Sequence, residues 1–233
     1  MIPRFFIVAT PIGNRDDITT RALQVLGEAN FIVAEDTRHT GQLLSFYGIK
    51  KPFISFRDAP APVIKRSLEA ILERLDKGET GAYVTDAGTP GVSDPGWRLV
   101  HALLEKNITV SSLPGPSAVT TLVSLAATPL DEYRFLGFLP KKKGFQTKLD
   151  DIVSYLDHKE ARAVVFYESP KRVQETLTDL AAKTSGLHAL VGRELTKKFE
   201  EYLRGKPAEL LQATQKRSLK GEFVVMIAPG ESH

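Results

Sequence analysis

Apolar residues come in short runs that alternate with helical patterns. Phe5, Phe6, Ile7, Val8 and Ala9 form the first run, and 31–34, 81–85 and 108–113 repeat it. Such runs, bounded by turn residues, predict strands buried on both faces. A briefer strand is predicted at 52–55. Between the strands, Ile18, Ala22, Leu23, Val25 and Leu26 recur at helical spacing over 18–28. Ile64, Leu68, Ile71, Leu72 and Leu75 do so over 63–75, ahead of Gly78. Helices are also predicted over 40–47, stopped by Gly48, and over 97–106. Strands and helices taking turns at this spacing predict parallel strands with helices on their faces.

After Leu113 a rigid Pro114-Gly115-Pro116 segment interrupts the pattern, and we place a domain boundary there: 1–115 and 116–233. The second half reads as helix 117–127, strand 133–139, helix 146–156, strand 163–167, helix 171–183, strand 188–192, helix 207–214 and strand 222–228. A basic loop, 140–144, follows the first of these strands. No internal repeat or low-complexity segment is present.

Composition excludes several chemistries. The 233 residues contain no Cys, so disulfides, thiolate metal sites and cysteine nucleophiles are out. No stretch approaches the ~20 apolar residues of a membrane span. The opening residues 1–10 read as a first strand, not a signal peptide, so a cytoplasmic location is expected. The five histidines (39, 101, 158, 188 and 233) are scattered without metal-ligand spacing, and no metal is expected. Nucleophile-elbow and kinase motifs are absent, which argues against a hydrolase or a phosphoryl transferase. Net charge is +3, and residues 1–118 carry 13 basic and 13 acidic side chains. The whole surplus therefore sits in the second half, which permits a nucleic-acid surface there without establishing one.

Polar and glycine-rich segments follow several strands, where open α/β sheets bind ligands. Ala9-Thr10-Pro11-Ile12-Gly13-Asn14 reads as a tight turn or a ligand loop. Glu35-Asp36-Thr37-Arg38-His39 offers carboxylates as bases or acceptors and an Arg for phosphate, while Asp36 or Thr37 also suits a helix cap. The densest segment is 84–96, in which three Gly and two Pro fall within 88–96. Glycine lets backbone amides approach a ligand, proline fixes the loop, and Asp94-Pro95 also reads as a helix start. Pro114-Gly115-Pro116-Ser117-Ala118 reads as a hinge or as a helix start offering free amides. In the second half, Phe166-Tyr167-Glu168-Ser169-Pro170-Lys171-Arg172 ends one strand and Arg193-Glu194-Leu195-Thr196-Lys197-Lys198-Phe199-Glu200-Glu201 another. The latter also reads as a solvated charge run.

Taken in order, segments 9–14, 35–38, 86–96, 114–118, 167–172, 193–197 and 220–224 resemble the tetrapyrrole methylase superfamily. Within it, they resemble the branch that methylates small-subunit ribosomal RNA. The likeness runs over residues 5–228. It implies a two-domain α/β (class III methyltransferase) fold, with a parallel-sheet N-terminal domain, a mixed-sheet C-terminal domain and a cofactor cleft between them. It implies S-adenosyl-L-methionine as cofactor, 2′-O-ribose methylation of a cytidine in the decoding region of 16S rRNA, the small ribosomal subunit as partner, and a homodimer. By position, the cofactor contacts would be Pro11, Gly88, Thr89, Pro90, Gly91, Val92, Ser117 and Ala118, joined by Leu136, Tyr167, Arg193 and Glu222. Many porphyrin-ring methylases have Gly-Asp-Pro where this chain has Gly88-Thr89-Pro90, which sides with the RNA branch. The family's Ser-Phe-His-Glu-His-Asn segment is replaced by Ser55-Phe56-Arg57-Asp58-Ala59-Pro60, so any role of those histidines passes to other residues.

A ribose hydroxyl needs a base or a strong acceptor to attack a methyl group. The candidates are Glu35, Asp36, Glu194 and Lys197, the last only if burial lowers its pKa. The Glu35/Asp36 pair is favoured, with Arg38 orienting the nucleotide. Lys141, Lys142, Lys143, Lys148, Lys171 and Arg172 are the candidate phosphate contacts. A porphyrin or corrin methylase and a non-catalytic RNA-binding module remain competing readings.

Overall fold

The computed structural model describes residues 4–158, 160–215 and 219–230. The first three residues of the expected opening strand, and His233, lie outside the described residues. The chain divides into two units between Ser117 and Ala118.

Unit 1 is a five-stranded parallel sheet, with β1 (Phe5–Val8), β2 (Phe31–Ala34), β3 (Phe53–Ser55), β4 (Gly81–Val84) and β5 (Val110–Leu113) in the order β3-β2-β4-β1-β5. Four helices connect them: α1 (Thr20–Glu28), α2 (Thr37–Phe46), α3 (Ala61–Asp76) and α4 (Gly96–Glu105). β2 and β4 are buried at every position, as continuous apolar runs require. Ala22, Leu26 and Leu44 pack with Ile32, Ala34 and Val84 in one cluster. Ile71, Leu75, Leu99 and Leu103 pack with Phe31, Val33 and Tyr83 in another. Alternate residues of β2 therefore feed opposite cores, one under α1 and α2, the other under α3 and α4.

α2 begins three residues before the periodicity predicted. The Asp36 carboxylate accepts the N–H groups of Arg38 (2.8 Å) and His39 (3.4 Å), which caps the extra turn. α4 starts where Asp94 Oδ1 accepts the Gly96 N–H at 2.7 Å. The N-cap is therefore Pro95, without a side-chain cap, and the helix begins one residue later than the Asp94-Pro95 reading expected.

Unit 2 opens with α5 (Ala118–Val123), which ends four residues short of the predicted 127, where Ala127 turns left-handed at φ 57°. Its mixed sheet has the order β6-β7-β10-β8-β9, built from β6 (Arg134–Phe138), β7 (Val164–Glu168), β8 (Leu187–Arg193), β9 (Glu201–Gly205) and β10 (Phe223–Pro229). β6 runs parallel to β7, and the remaining pairs are antiparallel. α6 (Phe145–Leu156), α7 (Val173–Lys183) and α8 (Pro207–Thr214) complete the unit. Its core joins Leu149, Leu177, Leu180 and Leu210 to Phe166, Val191 and Val225 of the sheet. β9 has no counterpart in the sequence reading. It is a half-exposed edge strand paired with β8, and its start at Glu201 falls inside the charged segment 193–201, which looks like a solvated run.

Candidate active site

β1 and β4 are neighbours, yet the chain leaves them in opposite directions, from β1 out to β2 and from β4 across to β5. A crevice opens where connections diverge in this way, at the carboxyl ends of the strands. The loops 9–14, 85–96 and 114–117 meet at that end of unit 1. Thr10 and Gly88 form a two-way backbone bridge, with N···O distances of 2.9 and 3.0 Å. Thr10 Oγ1 donates to the Thr85 carbonyl at 3.2 Å, and Thr89 Oγ1 to that of Pro116 at 3.1 Å. A Cβ at Gly115 would stand 2.8 Å from that of Ala9, so this contact admits only glycine. Glu35 and Asp36 sit one strand away, at the end of β2.

The long loop is held by its own aspartate. Asp94 Oδ2 accepts the Gly91 N–H at 2.7 Å while Oδ1 accepts that of Gly96. The backbone is left-handed at Gly88 (φ 80°), Gly91 (φ 89°) and Ser93 (φ 67°). Nothing stands within 4 Å of where a side chain at Gly91 would begin, so its Cα face is open while its N–H is held by Asp94. Pro11, Gly88 and Pro90 are buried, Thr89 and Val92 half-buried, and Ser117 and Ala118 stand at the division of the units.

Glu35 and Asp86 face each other across β2 and β4. The Asp36 N–H donates to Asp86 Oδ1 at 3.1 Å. Burial raises the Glu35 carboxyl above the usual range, and the negative charges of Asp86 and Asp94 push the same way, against a backbone hydrogen bond from Asp86. Asp36 goes the other way. Its hydrogen bonds from the Arg38 side chain, at 3.2 Å, and the Arg38 and His39 amides hold it down. The two adjacent carboxyls are thus pushed apart, Glu35 up and Asp36 down, while Asp36 caps α2 and pairs with Arg38.

In unit 2, Arg193 donates to the Lys220 carbonyl at 2.8 Å and pairs with Glu201 at 3.2 Å. Lys197 bridges Glu222 (2.8 Å) and Glu194 (3.1 Å). Burial pulls the Lys197 ammonium down, but the two carboxylates outweigh it and the net direction is up. The condition for Lys197 as a base, a lowered pKa, is therefore not met. Burial pushes Glu194 up, but its hydrogen bonds from the Glu222 N–H and Lys197 bring it below the usual range. Glu194 and Thr196 are both left-handed, at φ 49° and 63°. Strain of this kind persists only where surroundings enforce it, and here Glu194 and Glu222 exchange hydrogen bonds of 2.9 Å.

Among the basic candidates, Lys141, Lys142, Lys143 and Lys171 are exposed, and Lys148 pairs with Asp151 at 3.5 Å. Arg172 is turned inward. It donates to the carbonyls of Leu139 (3.1 Å) and Pro140 (2.8 Å), lies over Phe145, and faces the buried Glu168 at 3.6 Å. It holds the stem of the basic loop and is not free for a phosphate. Leu136 and Tyr167 lie half-buried on neighbouring strands. Asp86, Thr10 and the loop-holding role of Asp94 were missed. The signal available was the pairing of β2 with β4, which only the topology supplies.

The fold and these loops define a methylase of the corrin and porphyrin type. The chain belongs to the tetrapyrrole (corrin/porphyrin) methylase family, whose pattern it matches over residues 4–211. A ribosomal RNA small subunit methyltransferase I of Thermotoga maritima is 40% identical to it, over 98% of this chain and 99% of the relative. The protein of that name from Xylella fastidiosa is 43% identical over 95% and 80%. Among solved structures, a cobalt precorrin-4 methyltransferase aligns over 98% of both chains with TM-score 0.70 at 14% identity. The uroporphyrin-III C-methyltransferase of Thermus thermophilus, complexed with S-adenosyl homocysteine, aligns over 97% of both with TM-score 0.62 at 14%. Among the described residues no group of His, Asp and Glu could hold a metal ion, and no helix is long and apolar enough to cross a membrane.

Proposed function

We propose that the chain transfers the methyl group of S-adenosyl-L-methionine to small-subunit ribosomal RNA, at the 2′-oxygen of a cytidine ribose in the decoding region of 16S rRNA. The observation that carries the cofactor is the joined set of loops at the carboxyl ends of β1 and β4, with the open Cα face of Gly91. Pro11, Gly88, Thr89, Pro90, Gly91, Val92, Ser117 and Ala118 would hold it, and Leu136, Tyr167, Arg193 and Glu222 are further candidates by the family resemblance. Four carboxylates (Glu35, Asp36, Asp86 and Asp94) near this set suit a cation, as a sulfonium is. When bound, the cofactor supplies an electrophilic methyl group.

The protein's own task is to hold the hydroxyl in line and take its proton. Glu35 does the second, because its raised pKa brings its basicity closer to neutral pH. Arg38, 89% exposed and steadied by Asp36, orients a phosphate of the nucleotide. Lys141, Lys142, Lys143 and Lys171 attract the RNA backbone. The relatives named for small-subunit ribosomal RNA support this substrate, and the reading includes a homodimer. The test is incubation with radiolabelled S-adenosyl-L-methionine and small subunits lacking the modification. Label on a cytidine ribose is expected. Label on a base, or transfer only to a tetrapyrrole, refutes the assignment.

A further inference from the structure

β6 is an edge strand with an irregular register. Phe135 pairs with Val165, but Phe138 pairs with Tyr167, so three steps on β6 match two on β7. Gly137 is left-handed at φ 62°. In a regular strand, residues three apart face opposite sides. The bulge cancels that, and both phenylalanine rings lie 5.2 Å from the ring of Tyr167. The result is a three-ring cluster whose outer member, Phe138, is 64% exposed. Directly after it, Arg172 holds the carbonyls of Leu139 and Pro140. The three exposed lysines 141–143 follow.

We infer that Phe138 is a stacking platform for one base of single-stranded RNA, with Lys141, Lys142 and Lys143 on the adjoining phosphates. The inference rests on the RNA reading above and adds a residue to it. An exposed ring costs little to leave in water, but a base laid on its face buries both surfaces. Stacking tolerates any base, and lysines beside it bind the backbone without reading sequence. The ring is preorganised from behind by Tyr167 and from the loop by Arg172, so little side-chain freedom is lost on binding. The neighbouring positive charges argue for a nucleic acid over an apolar partner.

Four variants separate the terms: Phe138→Ala, Phe138→Leu, Phe138→Trp and the triple change of Lys141, Lys142 and Lys143 to Gln. The probes are fluorescein-labelled oligocytidylate across a salt series, S-adenosyl homocysteine by calorimetry, and unmodified small subunits for kinetics. Phe138→Ala and Phe138→Leu should each weaken oligocytidylate binding roughly tenfold. Their salt slope should stay that of the wild type, and KM for subunits should rise at unchanged kcat. Phe138→Trp, which keeps an aromatic face, should retain wild-type affinity. The triple variant should flatten the salt slope. Wild-type affinity in Phe138→Ala, or in Phe138→Leu alone, overturns the platform while a flattened triple-variant slope leaves the RNA reading standing. Loss of S-adenosyl homocysteine binding in Phe138→Ala overturns it in favour of a cofactor contact. A wild-type protein that binds neither RNA nor subunits overturns both readings.

Discussion

Glu168 is 2% exposed and carries a testable share of unit 2's stability. Its Oε1 accepts the Ser169 N–H at 2.7 Å, and its Oε2 accepts the Thr176 hydroxyl at 2.9 Å and faces Arg172 at 3.6 Å. Hydrogen bonds to a charged group contribute about 1.5–3 kcal/mol each, and removing one partner of a buried ion pair costs about 3–5 kcal/mol. These terms overlap, since one carboxylate makes all three contacts, so Glu168→Ala should cost about 3–5 kcal/mol and not their sum. Glu168→Gln keeps an acceptor for Ser169 and a partner for Thr176 and loses only the charge, so about 1–2 kcal/mol is expected. Urea unfolding followed two ways measures this. The single tryptophan, Trp97, lies in unit 1, so its fluorescence reports on that unit, whereas far-UV circular dichroism reports on both. Glu168→Ala should bring forward part of the dichroism transition ahead of the fluorescence change. A cost under about 0.5 kcal/mol, the usual scatter of surface substitutions, or a larger loss for Gln than for Ala, would refute this account of the carboxylate.

Methyl transfer should fall as pH drops through a value above the ordinary glutamate range, and Glu35→Gln should abolish that inflection and lower kcat by about 10²–10⁴; wild-type kcat in the variant sinks Glu35 as the base. A carboxyl raised in the folded state favours folding below its unfolded pKa and loses that contribution as pH rises through the folded one. Glu35→Gln should therefore gain stability relative to wild type from acid to neutral pH, and a constant difference across thermal melts at several pH values counts against it. Asp94→Ala removes both acceptors that close the 91–96 turn, so S-adenosyl homocysteine affinity should drop at least about tenfold by calorimetry, with Asp94→Asn between. Gly221→Ala puts a side chain into Glu194 at a left-handed position, φ 105°. It should cost about 1–3 kcal/mol in chemical unfolding, and an unchanged midpoint would show that the Glu194 turn yields freely.

What the sequence revealed follows burial. β2 stands where its run of four apolar residues predicted, because a strand buried on both faces has nothing polar to obscure it. β9 escaped because it is an edge strand with no fully buried position, exposing Tyr202 and Arg204 in turn, and so lacks the apolar run that marks a strand. The start of α2 depends on a side-chain cap, which hydrophobic spacing does not register. The site was legible as loops, since glycine-rich segments after strands announce themselves. Its chemistry was not, because the raised pKa of Glu35 comes first from burial and then from Asp86 and Asp94, up to 59 residues away, and both depend on the order in which strands pair. Arg172 looked like a phosphate ligand by type, and its direction, inward to two carbonyls, is a property of packing.

The bulge in β6 has a second consequence, unrelated to any ligand. β6 is the open margin of its sheet, and a straight margin of unpaired amides and carbonyls is a template on which a foreign strand can grow. The register shift and the left-handed Gly137 break that template near its middle, and the three lysines beyond it repel a like-charged copy. Straightening the strand by deleting one residue at 136–137 would therefore do more than misdirect Phe138. It would expose a regular β margin, and the variant should aggregate at concentrations where the native chain stays in solution.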